Sequence, residues 1–170
     1  PSDSGGNNVY DITVTASDGS ATTTQAVAIT VTNVAPTISS GSTGSVTEGA
    51  TAGTTVYTAA ATDPAGGTVT YSLTGTDASA FTINSSTGAV TINATPNFET
   101  KSSYSFNVVA SDGSLTSTKA VTVGVTNVAP TFSSGGTASV AENATTAYTA
   151  AASDTAGGTG TDSLGGTDAG

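Results

Sequence analysis

The sequence contains no cysteine, histidine, methionine, tryptophan or arginine, and these absences exclude many catalytic and metal-binding chemistries. Without cysteine and histidine, thiolate or imidazole metal sites, Cys–His nucleophiles and Ser–His–Asp triads are impossible. The side-chain cations are Lys101 and Lys119 alone, so binding to nucleic acid is not expected. No apolar run approaches the ~18 residues of a transmembrane segment. A structural or binding role remains, and we expect no enzyme.

The balance of charge is strongly acidic. Twelve acidic residues face two basic ones, which gives a net charge of −10. An acidic chain rich in Thr, Ser, Ala and Gly and lacking cysteine is typical of an extracellular bacterial protein that avoids disulfide chemistry. No signal peptide opens the sequence and Pro1 stands in the middle of a pattern, so we expect an excised part of a longer secreted protein.

One compositional test favours disorder. Ile, Leu, Val and Phe together number 28 of 170 residues, below the level expected of a globular domain. Two features weigh against a disordered chain, because the charge per residue is low and the apolar residues alternate strictly with polar ones.

The chain repeats itself at a spacing of 94 residues, which is the size of a domain. Residues 15–36 and 109–130 are identical at 15 of 22 aligned positions. Glu48 corresponds to Glu142 at the same spacing. Each unit is therefore too large to be a coil of a solenoid and should carry its own core.

The repeat divides the chain into three parts. Beyond the glutamate the spacing falls to 91, because Asp63 matches Asp154, so the last copy has lost three residues. Residues 1–36 are interpreted as the C-terminal part of one repeat, 37–130 as a complete repeat and 131–170 as the truncated N-terminal part of a third.

Apolar and polar residues alternate along most of the complete repeat, which predicts strands. The clearest stripes run over 104–110 and 121–125, and both recur in the first copy over 10–16 and 27–31. We therefore predict an all-β fold of tandem seven-stranded antiparallel Greek-key β-sandwiches. The third copy loses a strand pattern at 159–162, so we expect 131–170 to be poorly ordered unless more chain follows. Weaker strands of the complete repeat are predicted near 37–47, 54–61, 68–73, 80–84 and 88–93.

The few acidic residues sit at the ends of predicted strands. In a sandwich of alternating strands, Glu48 and Glu99 can reach one pole, while Asp63 and Asp112 can reach the other. Each pole would then present carboxylates to the linker that joins it to the neighbouring repeat. Carboxylates together with linker carbonyls and Asn side chains are the hard oxygen ligands that Ca²⁺ prefers.

Several loosely spaced motifs of the complete repeat occur in the order of a known family. Together they resemble a cadherin repeat, and they are most similar to the tandem cadherin-like domains of large bacterial surface and adhesion proteins. The motifs are Glu48, Ala61-x-Asp63, Thr70-Tyr71-Ser72-Leu73, Phe81-x-Ile83, Phe98-Glu99, Tyr104-x-Phe106-x-Val108-x-Ala110-x-Asp112, Val125-x-Asn127 and Ala129-Pro130.

The resemblance implies that these acidic residues bind calcium at the junctions between domains and stiffen the array. Two departures reduce the ligand set, since the linker is shorter than in the family and Ala65 replaces the second acid of an Asp-x-Asp motif. We expect about one ion per junction, with micromolar to millimolar affinity. The implied ligands are Glu48, Glu99, Asn127 and Asp154 at the third repeat, Asn33, Asp63 and Asp112 at the first repeat, and Asp18 and Glu142 facing junctions outside this fragment.

Plainer roles remain open for several of these side chains. Asp18, Asp63 and Asp112 precede Gly or Pro turns and can cap their own backbone. Asn33 and Asn127 can be linker turn residues that offer at most a carbonyl to a metal.

The leading functional hypothesis is a structural stalk segment of an extracellular or cell-surface, calcium-dependent adhesin. The partners would be calcium, neighbouring repeats of the same chain and, through other domains, a cell-surface protein or glycan. The alternative is a direct glycan- or protein-binding module without metal, which would need a cluster of exposed aromatic residues.

Overall fold

Nearly all regular structure in the protein is β-strand. The computed structural model describes residues 8–158 and 163–165. In this part of the chain the single helical element is a 3-10 turn, Ala78–Ala80, and no helix has the length and apolar character needed to cross a membrane. The strands are β1 (Val9–Ser17), β2 (Thr22–Thr30), β3 (Thr37–Ile38), β4 (Thr43–Thr47), β5 (Thr55–Thr58), β6 (Ala61–Thr62), β7 (Thr70–Thr74), β8 (Phe81–Ile83), β9 (Ala89–Ile92), β10 (Ser103–Ser111), β11 (Thr116–Thr126), β12 (Thr131–Phe132) and β13 (Ala152–Ser153).

The complete repeat is a β-sandwich, as predicted. One sheet has the order β4-β11-β10-β7 and the facing sheet has the order β5-β9-β8. All seven predicted strands are present, but the first and second are each broken into two pieces. β3 forms a separate two-stranded pair with β6. After a crossing at residues 39–42, the chain joins the four-stranded sheet as β4. The Tyr57 hydroxyl holds this crossing in place, because it donates to the Gly41 carbonyl and can accept a hydrogen bond from the Ser40 hydroxyl.

One strand pair departs from the antiparallel prediction. β4 lies parallel to β11, in a register that runs from Thr43–Thr122 to Thr47–Thr126. The reason is parity, because the first and seventh of seven alternating strands point in the same direction. When those two strands become neighbours in one sheet, their pairing must be parallel.

The core lies between the two sheets and is small. Phe106 packs against Phe81 with ring centroids 4.9 Å apart and against Tyr57 at 6.4 Å. The outward positions carry mainly Thr and Ser, so the low content of large aliphatic residues reflects a thin core and not a disordered chain. The buried cluster consists of Val46, Val56, Tyr57, Ala59, Phe81, Val90, Ile92, Phe106, Val108, Val121, Val123 and Val125.

The two flanking segments repeat parts of this architecture. β1 and β2 form an antiparallel hairpin, and β12 pairs with β13 as β3 pairs with β6. The predicted loss of strand at 159–162 lies outside the described residues.

Candidate metal centre

Three carboxylates converge where the complete repeat meets the segment that follows it. Oxygen atoms of Glu48, Glu99 and Asp154 all lie within 4.8 Å of one another, and they are the one such group of three acidic residues among the described residues. Two come from the complete repeat and the third from the turn after β13. The group therefore joins residues that are far apart in the sequence.

Glu48 is fixed in a buried position that ties three segments together. It follows β4 directly, is only 2% exposed, and its own amide donates to the Thr126 carbonyl at 3.0 Å. One carboxylate oxygen accepts a hydrogen bond from the Phe98 amide at 3.1 Å, and the other accepts from the Val128 amide. Asn127 lies between these linker contacts and is itself exposed.

A tight turn presents Asp154 to the group. Its Oδ1 accepts a hydrogen bond from the Ala156 amide at 2.9 Å, and its backbone carbonyl accepts from Gly157 at 3.3 Å. The Asn97 side chain donates to the Ala156 carbonyl at 2.8 Å. The turn is thus attached to the loop that carries Glu99 by a direct hydrogen bond.

The donor set fits a hard divalent cation. Three carboxylates whose oxygen atoms lie within 4.8 Å of one another repel when all are ionised. In the described part of the chain, the recorded ion pair is Lys101 with Asp77, and Lys119 donates to the Ser40 carbonyl, so neither lysine neutralises the group. The hydrogen bonds to Glu48 leave lone pairs free on both oxygens, and Ca²⁺ requires such oxygen ligands.

A second set of predicted ligands lies where the first segment meets the complete repeat. Asn33, Asp63 and Asp112 line one open cleft. The Asn33 side chain donates a hydrogen bond to Asp112 Oδ2 at 2.9 Å. The other carboxylate oxygen of Asp112, Oδ1, accepts hydrogen bonds from the backbone amides of Ser114 and Leu115, each at 2.7 Å. These hydrogen bonds lower the pKa of Asp112, with the largest effect from the Leu115 amide and smaller effects from Ser114 and Asn33. The turn role expected for this residue is therefore present, and one of its oxygens faces the linker.

Asp63 occupies the same kind of turn as Asp154. Its Oδ1 accepts from the Ala65 amide at 2.7 Å, and its carbonyl accepts from Gly66 at 3.0 Å. The 91-residue equivalence inferred from the sequence thus extends to the hydrogen bonds of the turn.

The remaining predicted ligands stand apart from both groups. Asp18 Oδ1 accepts from the Ser20 and Ala21 amides at 2.9 and 2.8 Å. These hydrogen bonds lower the pKa of Asp18, and the bond from the Ala21 amide has the largest effect. Glu142 is exposed, in contrast to its equivalent Glu48.

Sequence reasoning missed one contributor near the main group. Asn97 links the two segments through Ala156, and its Oδ1 also accepts from the Thr100 amide at 2.7 Å. An Asn directly after a proline, two residues before a predicted ligand, was the available signal.

Comparisons with known proteins agree with this architecture. The Cadherin domain family model matches residues 42–126, which is half of the 170-residue chain. No curated protein matches the sequence significantly. The fold is similar to that of human protocadherin-24 EC1-2, with a TM-score of 0.54 and 23% identity over 61% of this chain and 50% of that chain.

Two further solved structures show the same likeness. Protocadherin gamma B2 extracellular cadherin domains 3-6 match with a TM-score of 0.53 and 23% identity, over 74% of this chain and 35% of that chain. Drosophila N-cadherin EC1-3 matches with a TM-score of 0.53 and 21% identity, over 63% of this chain and 41% of that chain. The chain thus spans half or less of each of these three structures. Together with the family match, the sandwich of the complete repeat shows that the chain belongs to the cadherin family.

Proposed function

We propose that this chain is a stretch of the stalk of a secreted or surface-anchored adhesin, in which Ca²⁺ bound between adjacent repeats fixes their relative angle. Cadherin domains are extracellular adhesion-type repeats, which gives the setting. The single observation that carries the proposal is the convergence of Glu48 and Glu99 with Asp154 across a junction.

The cation would be held by carboxylates from both sides of the junction. When bound, Ca²⁺ would link oxygen ligands from both sides of the junction and offset the repulsion between the three carboxylates. Glu48 couples this site to the linker, because the carboxylate that would bind the ion also accepts a hydrogen bond from the Val128 backbone amide. Asn127 is the adjacent candidate ligand, through its carbonyl or its side chain.

Asn33, Asp63 and Asp112 are proposed as the corresponding ligands at the preceding junction. Their shared cleft supports this assignment. The Asn33 side chain donates its NH₂ group to Asp112, so it would have to turn its oxygen inward to bind a cation. Asp18 and Glu142 are proposed to face further junctions by repeat equivalence.

A thermal melt of the full 170-residue chain in EDTA, in millimolar CaCl₂ and in millimolar MgCl₂ tests the proposal. Binding to the native state at about 100 times the dissociation constant stabilises by about 2.7 kcal/mol, which should raise the Tm by at least ~5 °C. Magnesium should give much less, because it demands a smaller and more regular oxygen cage.

A matched pair of variants locates the ion. Asp154→Asn keeps an acceptor for the Ala156 amide but removes a charge from the group, so the calcium effect should fall to the part that the preceding junction contributes. Asp11→Asn removes one charge from the exposed face of β1 and should leave the effect intact. Identical melts of the unaltered chain in all three solutions would contradict the proposal.

A further inference from the structure

Two glycines occupy equivalent positions in the two acidic turns, and each lies against a carboxylate. Gly67 follows Asp63 by four residues, as Gly158 follows Asp154. A Cβ atom added to Gly67 would lie 2.5 Å from Asp63 Oδ2. One added to Gly158 would lie 3.0 Å from Glu99 Cδ and 3.2 Å from its Oε2. Non-bonded heavy atoms prefer about 3.5–4.0 Å. A side chain at Gly67 would therefore force Asp63 to move, and one at Gly158 would force the Glu99 carboxylate to shift by a few tenths of an ångström.

The backbone does not require glycine at these two positions. In each turn the preceding residue provides the left-handed conformation, with φ of +81° at Gly66 and +91° at Gly157. No atom lies within 4 Å of a Cβ added to either of those two. Gly67 and Gly158 lie outside the left-handed region, so alanine suits their backbone. Gly66 and Gly157 thus provide the backbone conformation of the turn, whereas Gly67 and Gly158 leave space for a neighbouring carboxylate.

We propose that Gly158 and Gly67 are positioning residues of the junction sites, whose lack of a side chain lets a ligand carboxylate lie against the acidic turn. This inference rests on the proposed calcium function and names residues that decide whether the ligands can converge. Gly158 acts across the junction, because the carboxylate that it admits belongs to Glu99 of the complete repeat.

The two glycines should respond differently to substitution. The Glu99 carboxylate is the far end of a long, exposed side chain, so a methyl group at Gly158 displaces it by a few tenths of an ångström relative to the other two carboxylates, at little cost to folding. Asp63 is short and its Oδ1 is bound to the Ala65 amide. A methyl group at Gly67 therefore disturbs the turn itself, with or without calcium.

Calorimetric titration of the full chain with CaCl₂, combined with melts in EDTA, tests the inference. Gly158→Ala should weaken calcium binding several-fold at the group of Glu48, Glu99 and Asp154 and leave the preceding junction unchanged, while its Tm in EDTA stays within about 1 °C of the unaltered chain. Gly136→Ala is the matched control, since no atom lies within 4 Å of a Cβ at that position and its φ is not left-handed. It should bind calcium like the unaltered chain.

A double-mutant cycle shows whether the effect acts through Glu99. Once Glu99→Ala has removed the carboxylate, adding Gly158→Ala should change calcium affinity less than twofold. An equal loss in both backgrounds would mean that the methyl group acts through the turn, which would overturn the inference.

The outcomes separate this inference from the proposed function. Unaltered calcium binding by Gly158→Ala, in a chain that does bind calcium, would overturn the positioning role and leave the calcium function standing. If the unaltered chain shows no calcium heat and no calcium-dependent melt, both proposals fail together.

Discussion

The hairpins β1–β2 and β10–β11 have the same pairing but different surroundings. Each strand of one lies 94 residues from its counterpart, and the registers coincide, with Ala16 opposite Thr23 and Ala110 opposite Ser117. Val14 is nevertheless 52% exposed, while its equivalent Val108 is fully buried. Pairing is therefore a local property of these sequences, whereas burial requires the facing sheet, which for β10–β11 is β5-β9-β8.

The third segment gives the same contrast from the other end of the repeat. Tyr148 bonds its hydroxyl to Ser134 at 2.7 Å, as Tyr57 does to Ser40. Tyr57 is 8% exposed and Tyr148 is 46% exposed. The local hydrogen bonds are reproduced without the core that covers them.

The largest effect should come from the valine pair at equivalent positions. Val108→Ala removes two buried methyl groups and leaves a cavity, so it should lower the free energy of unfolding by about 2–3 kcal/mol. Val14→Ala alters an exposed side chain and should stay within about 0.5 kcal/mol. Urea denaturation of the full chain, followed by tyrosine fluorescence, measures both. Equal losses would show that the first hairpin is covered in solution as the second is.

The second-largest difference in stability should separate the same substitution at buried Glu48 and at its exposed equivalent Glu142. Glu48→Gln turns an NH₂ group toward one of two donating amides, so a buried donor loses its acceptor at a cost of about 1–2 kcal/mol. Glu142→Gln should be nearly neutral, because that side chain is exposed. Denaturation in EDTA isolates this effect from any metal. A neutral Glu48→Gln would contradict the claim that its carboxylate fastens the linker.

The smallest effect concerns the tips of the two hairpins. Asp18 and Asp112 both have a pKa lowered below 3.8 by backbone hydrogen bonds, with Asn33 adding to the shift at Asp112. A depressed pKa contributes stability above about pH 3.8 that is lost as the pH falls through the folded-state value. Asn33→Ala should therefore raise the pKa of Asp112 slightly and leave Asp18 unchanged, as measured by carboxyl ¹³C shifts. Movement of both values, or of neither, would mean that Asn33 does not act on one tip alone.

Much of the fold could be predicted because the inward face alternates strictly. The pattern over 104–110 and 121–125 located β10 and β11 directly. Alternation fails at Val56 and Tyr57, which are adjacent and both buried, because the register shifts between Thr55 and Tyr57. A bulge of this kind places two successive side chains inward, so strict alternation does not predict that Val56 and Tyr57 are both in the core.

The acidic group could be predicted in part. The order of strands places Glu48 and Glu99 at one pole, and the resemblance to a cadherin repeat implies Asp154 as their partner. The Asn97 contact could not be predicted, since it depends on where the turn of the next segment lies against the loop. The exposure of Val14 does not follow from alternation, which shows which face is apolar but not whether anything covers it.

The parallel pairing of β4 with β11 has a mechanical consequence. The chain enters the repeat through the two-residue strand β3, continues into β4, leaves the repeat through β11 and reaches the next segment after only four residues, 127–130. Tension along the chain pulls these two parallel strands in opposite directions, so the five register pairs from Thr43–Thr122 to Thr47–Thr126 are loaded in shear. Bonds loaded in shear share the force and must break together, whereas bonds that are unzipped break one at a time. A pulling experiment should therefore record one cooperative rupture for this repeat, and tension would pass from one repeat to the next through these strands and the linker that Glu48 holds.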